Sequence, residues 1–114
     1  MDNLGFDALA SKEAKIRMDF ERANKTAGEI DDIADALIKL HDNDLDEALK
    51  SVRTAWTGEH ANSFCIKYNN ASSDVVKSAN NLRNTAETIR RMAKNTYDAE
   101  MEAIQIARRR TFKT

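Results

Sequence analysis

Few side chains in this 114-residue sequence could do chemistry, and their spacing argues against each reaction in turn. Asp42, Asp44 and Asp46 alternate like the first ligands of a calcium loop. Such a loop needs a glycine at its sixth position and a bidentate acid at its twelfth, because the chain must turn sharply around one cation. Those positions hold Glu47 and Arg53, so the ligand set does not close. His60 and Cys65 are a base and a nucleophile by type. Five residues apart on a helix they point to different faces, and nothing nearby supplies an oxyanion site. Neither histidine follows a glutamate at Glu-x-x-His spacing, which excludes a di-iron bundle. A single cysteine excludes an internal disulfide and argues against a cysteine-based zinc site. The expectation is a protein with no catalytic residues, metal, cofactor or small-molecule substrate. Cys65 reads as a small packing residue and His41 as a tolerated polar residue in a helical seam.

Charge narrows the choice of partners. Residues 1–55 hold 8 Lys/Arg and 13 Asp/Glu, a net −5, whereas residues 56–114 carry +4. An acidic first half beside a basic second half suits an antiparallel pair of helices, within one chain or between two. An overall net charge of −1 lacks the electrostatic footprint of a nucleic-acid binder. Arg108, Arg109 and Arg110 suit the C-terminal end of a helix dipole. No run of 18 apolar residues occurs, and Met1 to Ala10 has no Lys, Arg or apolar core of a signal peptide. A cytoplasmic location is expected, with any export by a route that needs no cleavable leader.

The elements that must position these residues are organised around Trp56-Thr57-Gly58. The chain has no proline and three glycines, and Gly58 separates two long periodic stretches. The sequence predicts an all-α antiparallel hairpin forming one domain. Helix 1 covers about 8–54, with Asp7 or Ser11 as its cap; the turn is 55–59; helix 2 covers about 60–109; and a short basic tail, 110–114, is disordered. Met1 to Ala10 reads as irregular or frayed. In helix 1 the apolar positions Ile16, Phe20, Ala23, Ala27, Ile30, Ala34 and Leu37 alternate steps of four and three, a coiled-coil type of seam. The repeat slips at His41–Asp44, where a bend or local distortion is expected, with Asn43 or Asp44 as a candidate second cap.

In helix 2 the same alternation runs through Phe64, Tyr68, Val75, Leu82 and Ile89. Ala61, Cys65, Val76, Ala79 and Ala86 widen it on one flank. Two facing helices bury one strip each, which leaves Ile33, Ile38 and Leu40 wet in a monomer. Pairing with a second hairpin as a four-helix bundle dimer completes the core.

A chain of this length with two long helices and Trp-x-Gly at the bend resembles the WXG family. These are small helical-hairpin proteins of bacterial type VII secretion, similar to the early secreted antigens. The resemblance covers nearly the whole chain and implies a hairpin that dimerises antiparallel, travels folded and is not an enzyme. It implies either a secretion substrate or an adaptor, with a secretion ATPase as a partner and a destination outside the cell or at its surface. The other partner is a second copy, a related hairpin or a larger secreted effector. The family carries a C-terminal signal, a tyrosine followed four residues later by an acid. Here Tyr97 stands in the right region, but Met101 holds the fourth position and Glu100 the third. Tyr97 and Glu100 still share a helix face. The implied recognition residues are Trp56, Gly58, Tyr97 and Glu100. The competing expectation is an intracellular coiled-coil scaffold or regulator unrelated to secretion.

Overall fold

The structure is a computed structural model that describes residues 3–112. Among these residues it is helical throughout, apart from one turn, and contains no strand. Helix α1 spans Asn3–Lys39 and leads without interruption into a π-helical segment, Leu40–Leu45. Helix α2 spans Asp46–Ala55, and α3 spans Glu59–Phe112.

Two boundaries differ from the sequence expectation. Helix α1 begins at Asn3, ahead of Asp7 and Ser11, and half-buried Leu9 carries the apolar stripe about two turns further back than Ile16. Arg110, Thr111 and Phe112, expected in the C-terminal tail, belong to α3. The expectations for Met1, Asp2, Lys113 and Thr114 lie outside the described residues. At the slip in the repeat the chain stays helical and takes up the extra residue as a π turn. A wider turn is how a helix absorbs one inserted residue without breaking. The Leu45 N-cap of α2 makes no side-chain hydrogen bond, so neither Asn43 nor Asp44 caps it.

The chain divides into two compact units, each containing parts of α1 and α3. One comprises Met1–Gly28 and Glu87–Thr114 and is here called the terminal unit. Glu13 pairs with Arg108 and Phe20 with Tyr97, so its two helices run antiparallel. The other, Glu29–Ala86, contains the turn and is here called the turn unit. Asp35 pairs with Arg83 and Leu45 with Tyr68, so its helices are also antiparallel. In both of these ion pairs the acid lies on the first helix and the arginine on the second. The charge asymmetry of the sequence is therefore used, at least in part, inside one chain.

The buried line is built from small residues. In the turn unit Ala34, Ala79 and Ala86 are completely buried, and Ala61, Cys65 and Leu49 nearly so. In the terminal unit the buried residues are Ile16, Ala27 and Ile104. Ile16 lies where the expected seam put it. Phe20, Ile30, Leu37, Tyr68, Val75, Leu82 and Ile89 are only half-buried, and Phe64 is 41% exposed. On α3 the centre of the contact thus falls on what the sequence presents as the flank of the seam. Alanine keeps neighbouring backbones close, and one residue rotates a helix face by about 100° at 3.6 residues per turn. The larger side chains are turned to one side of the contact. Ile33 and Leu40 are exposed as expected, whereas Ile38 is half-buried. No described helix is long and apolar enough to cross a membrane.

Candidate partner-recognition surface

The turn is built from three residues. Helix α2 closes when the Trp56 N–H donates to the Val52 carbonyl at 2.8 Å, with Trp56 itself extended at φ −133° and ψ 124°. Helix α3 opens when the Asn62 N–H donates to the Gly58 carbonyl at 3.0 Å. Gly58 has φ +111°, in a region that side chains disfavour. Its positive φ therefore serves the entry into α3, not the closing of α2.

This geometry turns Trp56 outward. The indole is 45% exposed and lies 5.7 Å, centroid to centroid, from the Phe64 ring. Phe64 in turn lies 6.0 Å from Tyr68. Both separations fall in the range of tilted aromatic pairs. The Tyr68 hydroxyl donates to the Leu45 carbonyl at 2.8 Å, so the aromatic row ends on the last residue of the π segment. A groove of about 580 Å³ opens beside the turn, lined among others by Arg53, Trp56, Gly58, Cys65 and Ile66.

Tyr97 and Glu100 belong to the terminal unit. Tyr97 is half-buried with its ring 4.7 Å from Phe20. Glu100 lines a groove of about 290 Å³ with Asp19, Phe20, Ile89, Met92 and Tyr97. Met92 is 62% exposed, so this groove is apolar and open to a partner. In the same unit Glu13 accepts hydrogen bonds from Arg17 at 2.8 Å and from Arg108. These two guanidiniums, Arg17 first, hold its carboxyl below the ordinary value of 4.5. The same bond raises Arg17 above its ordinary value, and Asp98 raises Lys94. Both shifts belong to charge pairs at the helix surface and point to no reaction centre.

Among the described residues no group of three or more His, Cys, Asp and Glu is placed to hold a metal. Cys65 is buried and His60 exposed. The periodicity of helix 1, which slips at His41–Asp44, does not single out Leu49, which is buried. Nor does it reveal the Tyr68–Leu45 bond, for which the only signal is the slip in the repeat at His41–Asp44. Comparison with protein-family models, curated proteins and solved structures finds no match for this chain.

Proposed function

We propose that the protein is a non-enzymatic adaptor or substrate of a type VII secretion system. It acts by pairing with a second hairpin into a four-helix bundle and by presenting the Trp56 turn to the export machinery. The observation that carries this reading is the exposed indole of Trp56 beside Gly58. An export signal must be readable, whereas a scaffold gains nothing by leaving its only tryptophan in water. The packing of Tyr97 against Phe20 and the methionine at position 101 make the C-terminal half of the signal weak.

Pairing of the chain with itself is supported by the charge of its units. The terminal unit holds 12 Lys/Arg and 9 Asp/Glu, a net +3; the turn unit holds 6 and 10, a net −4. An antiparallel dimer sets each turn unit against a terminal unit of opposite charge, which favours that orientation over a parallel one. It also covers the exposed Ile33, Leu40, Phe64 and Met92. The protein is cytoplasmic before export and extracellular or surface-bound afterwards.

The test is Trp56→Ala in a bacterium that has the secretion system. Export is expected to fall while helix content and oligomeric state stay nearly unchanged. Loss of folding in this variant would make Trp56 a packing residue and remove the main support. Undiminished export of the variant would show that Trp56 is not the signal, and an unaltered protein that is not exported would favour an intracellular scaffold.

A further inference from the structure

The groove of the terminal unit has an apolar floor that includes Phe20, Ile89 and Met92, and a carboxylate from each helix, Asp19 on α1 and Glu100 on α3. Among the described residues neither carboxylate takes part in an ion pair. Such a groove suits a helix that presents a large apolar side chain with a cation one turn away. The turn unit, whose net charge is opposite, carries one such combination on α3. Phe64 is 41% exposed, and Lys67, three residues on, shares its face and has no ion pair among the described residues. Its other exposed large apolar side chains within helices, Ile33, Leu40 and Ile66, have no Lys or Arg three or four residues away.

The geometry points to Phe64 and Lys67 of a second copy as the occupant of this groove. Phe64 lies on the apolar floor and Lys67 meets Glu100 or Asp19 at the rim. Under two-fold symmetry each copy gives this pair and receives the other's, which closes the interface after two chains. The inference rests on the self-pairing proposed above and adds its register.

The experiment traps that register in the full chain. In a Cys65→Ser background, Lys67→Cys and Thr96→Cys are combined, Thr96 being part of the groove. A disulfide that joins two chains gives a species of twice the mass on a non-reducing gel, which separates it from one formed within a chain. Mild oxidation is expected to give a covalent dimer that neither single-cysteine variant gives. In parallel, Lys67→Glu and Glu100→Lys are each expected to weaken dimerisation by roughly three- to tenfold, and their combination to restore most of the loss. Dimers by light scattering that do not cross-link and show no recovery in the charge swap would overturn the register and leave self-pairing standing. A chain that stays monomeric would overturn both.

Discussion

The Tyr68 hydroxyl donates to the carbonyl of Leu45 across 2.8 Å, joining α3 to the end of the π segment. A helix that has taken in an extra residue has carbonyls displaced from their usual partners, and a donor from the facing helix fixes where the irregularity sits. The Phe64 and Trp56 rings follow from Tyr68 toward the turn, so this bond is also the base of the row that orients the indole.

Tyr68→Phe is expected to keep the ring packing and lose the bond. The stability loss is about 0.5–1.5 kcal/mol, the usual net worth of such a hydrogen bond. Chemical denaturation measures it. Faster amide exchange confined to residues 40–49 would be the local signature, and an unchanged midpoint would show that the bond contributes nothing.

The two glycines with structural meaning are expected to respond in opposite directions. At Gly58 an added Cβ meets nothing within 4 Å, so the penalty comes from φ +111° alone. Gly58→Val is expected to destabilise by about 1 kcal/mol or more. Gly28 lies inside α1, also with open space around an added Cβ. Gly28→Ala is expected to stabilise by about 0.5–1 kcal/mol. Thermal melts of both variants check the two signs together.

The close approach of the helices depends on side chains that stop at Cβ. Ala86 is completely buried, and Ala86→Leu is expected to cost about 1–3 kcal/mol by forcing the helices apart. Ser78→Leu, on an exposed position of the same helix, serves as the control and is expected to change monomer stability little. Equal effects of the two substitutions would place the contact on the other face.

Glu13 sets an acid limit to the terminal unit. Its carboxyl is held below 4.5 by Arg17 and Arg108, so its contribution is fully present above that value. It is lost as pH falls through the lowered value and the carboxylate takes up a proton. Glu13→Gln is expected to melt below the unaltered protein at pH 7, with the gap closing as pH falls below 4.5 toward the lowered value. A gap that stays constant with pH would mean that the pair acts only through packing.

Much of the fold was legible in the sequence because helical periodicity survives in the side-chain pattern. The position of Gly58 between two periodic stretches marked the turn, and the slip at His41–Asp44 marked the place where the helix widens. The face used within the chain was less legible. On α3 two adjacent stripes are apolar, one of alanines through Ala79 and Ala86 and one of larger residues through Phe64, Val75 and Leu82. Hydrophobicity alone favours the larger stripe, whereas backbone approach favours the smaller. Both are used if the larger stripe serves a second hairpin. Of the site, Trp56 was visible because it is the only tryptophan and adjoins the turn glycine. The packing of Tyr97 on Phe20 was not, because Phe20 lies 77 positions earlier in the chain.

Size-exclusion chromatography with light scattering on the purified chain, repeated across dilution, tests the central claim of self-pairing most directly. The expected mass is twice the 12.9 kDa of one chain, falling toward that of the monomer only at high dilution. A well-folded monomer at every concentration would contradict it, since the exposed Ile33, Phe64 and Met92 would then need no partner of their own kind.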